Sequence, residues 1–275
     1  MPHNVINNRL SAEQEQFFNQ NGYLIIDIGL KTPEIDSAVE EMLPQYESLA
    51  DGRPFWPGIR IQDGWKDSSA VKNIALNTYA LDCLQQLFGR KALPFQTLNF
   101  PVGTQQKPHS DTIHFNSKPS GYLAGVWLAL EDVNLDNGAL VYYPGSHKWP
   151  EYNMQDVGKG IGYENYKHYE TFIEEKLSES SIEPFYAELK KGQALIWHAN
   201  LIHGGTKPQK AGLTRHSQVT HYYFEGCRYY TPMNSSEESI HWRTPNWISD
   251  RSNITKTARN YVKHNINRIK QQFFK

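Results

Sequence analysis

Cysteine is nearly missing from this chain: Cys83 and Cys227 are the only two in 275 residues. Two lone thiols build neither a disulfide framework nor a thiolate metal site, and such usage fits a reducing cytoplasm. No apolar run approaches the roughly 20 residues of a membrane span. The opening MPHNVINNRL has no apolar core segment, so neither a membrane anchor nor a secretory signal is expected. Neither sign of charge is in excess. The net charge of −1 gives no electrostatic case for a nucleic acid or an anionic membrane as partner. Internal repeats and low-complexity linkers are missing too. What is present is ample for a core: 39% of residues are hydrophobic and 13% aromatic. Residues 1–275 therefore read as one domain.

Ser11-Ala12-Glu13-Gln14 has the form of a capping box, and Gly22 offers a stop, which predicts a helix over 12–21. Tyr23–Ile26 reads as a buried strand. Thr32-Pro33 opens a second helix with an apolar stripe of Ile35, Val39, Met42 and Leu43. Residues 50–67 form a loop whose Arg53, Trp56, Arg60 and Trp65 are candidates for a pocket wall, with surface packing the alternative. A third helix is expected over 69–88, ending at Gly89. Residues 1–90 are thus mainly helical.

After residue 90 the texture changes. Strands are expected at Phe95–Phe100, Leu123–Leu130, Ala139–Tyr143, Phe185–Leu189, Ala194–Trp197 and His216–Phe224, with Gly, Pro and Asn between them. Short strands with turn signals predict a sandwich or barrel over 91–225, with the helices packed outside it. The polar stretch 150–183 is a long insertion, partly helical near 168–178, of the kind that forms lids. The extension 226–275 ends in a helix near 254–275, either docked on its own domain or in contact with a second copy in a homodimer.

The chemistry concentrates in His109-Ser110-Asp111 and, far downstream, in Trp197-His198-Ala199-Asn200-Leu201-Ile202-His203-Gly204-Gly205, with Arg215 following. Residues i and i+2 of a strand point to one side, so His109 and Asp111 can aim at one point. Two histidines and a carboxylate suit ferrous iron and leave positions open for a bidentate co-substrate and dioxygen. Arg215 offers a planar fork for a carboxylate. His-x-Asp alone is a weak signal, since a hydrogen-bonded core histidine beside a surface aspartate gives the same pattern. His203 and Arg215 make it a constellation. Two alternatives stand beside this one: a non-catalytic β-sandwich binding module, and a cupin-type metal enzyme that does not use such a co-substrate. His114 and His198 are candidates for substrate contact, His147 for fixing a turn, and His216 and His221 for hydrogen bonding within the barrel.

These residues resemble the phytanoyl-CoA dioxygenase family of iron(II)- and 2-oxoglutarate-dependent oxygenases. The likeness runs from Leu10 to about Phe224. Its motifs are Leu10–Gln14 with Phe17-Phe18 and Asn21-Gly22-Tyr23, then Asp136–Leu140 followed by Pro144–Lys148, and the ligand and arginine positions above. The resemblance implies a double-stranded β-helix of jelly-roll type, mainly β with flanking helices. It implies His109, Asp111 and His203 as ligands of Fe(II), and Arg215, on the eighth core strand, as the 2-oxoglutarate clamp. Trp127 would lie beside the co-substrate, with Thr97 and Asn99 as polar contacts from a neighbouring strand. The implied reaction consumes O2 and 2-oxoglutarate, releases succinate and CO2, and hydroxylates a small-molecule substrate. The chain departs from some relatives in having Gly205 where they place a co-substrate serine, and in a longer interval to Arg215. Retention of Asp111 disfavours the halogenating variants, which lose that carboxylate.

Overall fold

The computed structural model describes residues 9–250. The helix expected over 254–275, and the dimer contact it would offer, lie outside the described residues. In chain order the elements are α1 (Ala12–Asn21), β1 (Tyr23–Asp27), α2 (Thr32–Ala50), β2 (Ile61–Gln62), α3 (Ser69–Ala75), α4 (Thr78–Phe88), β3 (Ala92–Phe100), β4 (Asn116–Lys118), β5 (Leu123–Ala129), β6 (Leu140–Tyr142), α5 (Met154–Val157), α6 (Tyr166–Glu179), β7 (Phe185–Ala187), β8 (Gln193–His198), β9 (His203–Gly205), β10 (Ser217–Phe224), β11 (Arg228–Tyr230) and β12 (Trp242–Arg243).

Local chemistry sets the helix ends. Ser11 and Gln14 form the reciprocal capping box, and Gly22 closes α1 at φ +81°, a left-handed conformation that a side chain would strain. The buried stripe of α2 is Ile35, Ala38, Met42, Tyr46 and Ala50. Leu43, expected to point inward, is exposed and Val39 only half-buried. The single helix expected over 69–88 is two. Asn77 breaks it: its side chain accepts from Ala80 N at 2.9 Å and donates to Ile28 O at 3.1 Å, which caps α4 afresh.

The strands form a six-stranded antiparallel sheet in the order β1-β8-β5-β10-β3-β2, and two three-stranded sheets, β7-β6-β9 and β12-β11-β4. The inner strands of the large sheet are buried on both faces, and their alternation sorts them. One face (Val126, Leu128, Ala194, Ile196, Tyr222, Phe224) packs under α2, α3 and α4 in the largest apolar cluster. Gln218 and Tyr222 donate to carbonyls of Val71 and Ala75, which fixes α3 on that face. The other face (Trp127, Leu195, Trp197, Val219) meets Leu140, Tyr142 and Ala187 of the small β7-β6-β9 sheet. The space between these two sheets holds the site, and segments outside the strands complete it. The 150–183 insertion supplies α5 and α6, which pack Met154, Tyr169 and Ile173 against Ile113, Ile202 and Met233.

Candidate active site

His109, Asp111 and His203 converge between the two sheets. All three are buried, and one ligand atom from each falls within 4.8 Å of the others. The convergence is built by backbone. His109 and His203 exchange both N–H···O bonds, each 2.9 Å, as a single antiparallel bridge. Gly204 and Gly205 let segment 104–108 lie close on β9. A Cβ at Gly204 would stand 2.7 Å from Gln106 O, and one at Gly205 would stand 2.6 Å from the Thr104 hydroxyl. Asp111 does not continue an extended strand, as the His-x-Asp spacing implied. It opens a 3-10 turn, Asp111–Ile113, anchored by Asp111 N donating to Ala199 O at 2.9 Å.

Hydrogen bonds set which atoms face one another. His109 Nδ1 lies 2.9 Å from Lys107 O and His203 Nδ1 lies 3.0 Å from Leu201 O. A carbonyl only accepts, so each Nδ1 carries the proton and each Nε2 presents a lone pair. Those Nε2 atoms stand 4.0 and 3.8 Å from Asp111 Oδ1. The other carboxylate oxygen is occupied elsewhere: Trp197 Nε1 donates to Oδ2 at 2.7 Å, and His221 Nε2 lies 3.4 Å from it. Burial works against the Asp111 charge, but His203, His221 and His109 outweigh it and hold the carboxyl well below the usual range. Burial pushes His109 down to about 3, with His203 adding to the effect, so its ring is neutral. Two imidazole lone pairs and a carboxylate oxygen on one side form the donor set that a ferrous ion with open positions requires.

The three residues border a cavity of about 400 Å³, whose walls include Arg215, Trp127, Leu98, Phe100, Val219 and His114. Arg215 precedes β10 by two residues, short of the strand on which the resemblance placed it. It is 2% exposed, donates to Ser217 Oγ at 2.6 Å and lies 5.3 Å over the Trp127 ring, while its Nε has no partner. No carboxylate pairs with it among the described residues. Burial pushes it down to about 10, partly opposed by Glu131, so it is still a cation at neutral pH. A buried guanidinium without a counter-ion is costly unless an anion joins it. The site thus fits the far carboxylate of a dicarboxylic co-substrate.

Trp127 stands in the cavity wall. Thr97 and Asn99 do not. On β3 the cavity is lined by Gln96, Leu98 and Phe100. Thr97 and Asn99 face the helices, where Thr97 accepts from Trp65 N and Asn99 donates to Gln218 Oε1. The parity is set by pairing: Leu98 is opposite Val219 and Phe100 opposite Ser217, on the face that carries the cavity. His114 lines the cavity and stacks on Tyr163 of the insertion, centroids 5.7 Å apart. His198 lies away from it, stacked on Phe88. Trp197 has no expected role on sequence alone and His221 only a structural one. The available signal was parity, since 215, 217, 219 and 221 share one face.

A family model described as phytanoyl-CoA dioxygenase matches residues 18–216. The peroxisomal phytanoyl-CoA dioxygenase of Rattus norvegicus is 24% identical over 268 residues, which span 85% of this chain and 74% of the relative. Among solved structures, EctD from S. alaskensis with bound Fe superposes with a TM-score of 0.61 at 18% identity, covering 83% of this chain and 82% of that one. The epimerase SnoN in complex with Fe3+, alpha ketoglutarate and nogalamycin RO gives 0.61 at 16% identity, covering 86% and 98%. Similarity at that level shows the fold, a double-stranded β-helix of jelly-roll type. Since the family match covers most of its length, the chain belongs to the phytanoyl-CoA dioxygenase family and is a 2-oxoglutarate-dependent dioxygenase that works with iron(II).

Proposed function

We propose that this enzyme hydroxylates an unactivated carbon of a small-molecule metabolite, and that residues 1–275 form one catalytic domain. His109, Asp111 and His203 hold the iron, and Arg215 binds the far carboxylate of 2-oxoglutarate. The observation that carries this reading is the pairing, in one cavity, of a two-histidine, one-carboxylate donor set with a buried arginine that lacks a counter-ion.

When bound, iron(II) with 2-oxoglutarate and dioxygen supplies the oxidising power, and 2-oxoglutarate leaves as succinate and CO2 while a C–H bond becomes C–OH. The chain's own residues position and shield. The carbonyls of Lys107 and Leu201 keep both imidazoles in the ligating tautomer. Trp197 and His221 hold Asp111 Oδ2, so that Oδ1 is left to the metal. Ser217 orients the Arg215 fork. Leu98, Phe100, Leu140 and Val219 provide apolar wall that limits water at the reacting centre. Tyr163 brings the 150–183 insertion to the cavity, the position of a cover.

The test is anaerobic visible absorption of the metal-free protein titrated with iron(II) and then 2-oxoglutarate. A charge-transfer band should appear only when both are added and should vanish in Asp111→Ala and His203→Ala. Iron binding without that band would remove the role given to Arg215. A folded protein that takes up no iron would overturn the ligand assignment.

A further inference from the structure

Two arginines in the cavity wall have no task in the chemistry above. Arg60 comes from the segment before β2 and Arg243 from β12, and both line the cavity that His109, Asp111 and His203 border. Every Asp and Glu of the chain falls within residues 9–250, so all possible side-chain carboxylate partners are described. Lys66, Lys107, Lys176, Lys190, Lys191 and Lys210 each find one. Among the described residues neither Arg60 nor Arg243 does, and neither donates a side-chain hydrogen bond to protein. Arg243 rests its planar head 4.6 Å from the Phe115 ring, a contact that leaves the edge N–H donors unclaimed. Solvated surface arginines are common, but these two arrive at one cavity from distant parts of the chain.

Charge sharpens the point. Asp111 is the one carboxylate in the cavity wall. With iron(II) and doubly charged 2-oxoglutarate in place, Asp111 and Arg215 bring the inner site to neutrality. Arg60, which is exposed, and Arg243, which is half-buried, then add two positive charges that no carboxylate of the cavity wall offsets. Arg60 and Arg243 line the same cavity as His114 and Tyr163, and those two rings are stacked nearly parallel at 3°.

We infer that the primary substrate is a small anion whose carboxylate or phosphate-type group is held by Arg60 and Arg243, with its body along Phe115, His114 and Tyr163. Guanidinium suits either group through paired N–H donors. The inference rests on the reading of this cavity as the oxygenase site, and it names the chemistry that reading left open.

Benzoate and phenylphosphonate serve as probes, with benzyl alcohol as the neutral counterpart. The full chain is first loaded under nitrogen with iron(II) and saturating 2-oxoglutarate, so that Arg215 is occupied. The charge-transfer band is recorded before any probe is added, and its absence would fail the underlying reading separately. Calorimetry should then show an anion binding where benzyl alcohol does not. R60Q/R243Q should weaken it by about tenfold or more per arginine, and R60K and R243K should each recover part of the loss. Whichever of benzoate and phenylphosphonate binds more tightly identifies the anion class. Anion binding no tighter than that of benzyl alcohol, or binding unchanged in R60Q/R243Q, would overturn the inference.

Discussion

Replacing Trp197 by Phe tests whether Asp111 is oriented before the metal arrives. The indole donates to Asp111 Oδ2 at 2.7 Å, and the one other neighbour of that oxygen, His221 Nε2, lies at a longer 3.4 Å. A hydrogen bond to a charged acceptor contributes about 1.5–3 kcal/mol, and phenylalanine cannot supply it. The ring also fills space: it occupies the place a Cβ on Gly125 would take, 2.4 Å away, and lies 4.6 Å from the His203 ring. Shrinking it adds a void worth roughly 1 kcal/mol. The metal-free protein should therefore lose about 2.5–4 kcal/mol in urea unfolding. Iron affinity should fall by about 10–100-fold, the usual effect of removing a partner that orients a metal ligand. Trp127→Phe is the control, since Trp127 borders the same cavity without a bond to Asp111. It should show a packing loss without the iron loss. Anaerobic iron(II) titration reads the affinity of both variants. Iron affinity within twofold of wild type in a folded Trp197→Phe protein would reduce the indole to packing.

Arg215→Met should raise the KM for 2-oxoglutarate by on the order of 100-fold or more, because a charge-assisted pair is lost, while the metal-free protein melts no lower than wild type. Burial lowers the Arg215 pKa to about 10, so the unpaired cation burdens the fold and an apolar residue of similar length relieves it. Gly205→Ser should destabilise the protein without adding a co-substrate contact, since its Cβ would stand 2.9 Å from Gln105 N. Thermal melting and the KM for 2-oxoglutarate check both halves of that expectation. His198 accepts from Asn200 N through Nδ1 at 3.1 Å, and burial, reinforced by His147, pushes it down to about 4. Above about pH 6.5 neither state of the chain protonates this ring. As the pH falls from about 6.5 towards 4, the unfolded chain takes up a proton that the fold refuses, so stability drops by up to about 1.4 kcal/mol per pH unit. His198→Gln should flatten that slope in chemical unfolding at pH 7, 6 and 5.

The candidate ligand positions are legible because residue type and motif are local properties, while the rest of the site depends on long-range pairing. β3 shows why. Both of its faces are buried, so no polar alternation marks which one lines the cavity, and on sequence alone Thr97 and Asn99 are as suitable as their neighbours. The register of β3 on β10 decides it. Arg215, Ser217, Val219 and His221 share one face, and the partners of the last three are Phe100, Leu98 and Gln96. A bulge follows at once, where Pro94 takes the place opposite Tyr222 and the parity shifts. Trp197 is hidden for the same reason, because its partner Asp111 is 86 residues away and only tertiary structure brings the two together. The structure brings His109 and Asp111 together on a geometry other than the one their spacing implies. A true strand would turn both side chains the same way by the pleat alone. Here the His203 bridge sets His109, and a separate bond to Ala199 O sets Asp111 at the start of a 3-10 turn. The donor set is therefore held by the 199–205 segment as much as by its own. Changes at Gly204 or Ala199, which touch no metal, should disturb iron binding as surely as changes beside Asp111.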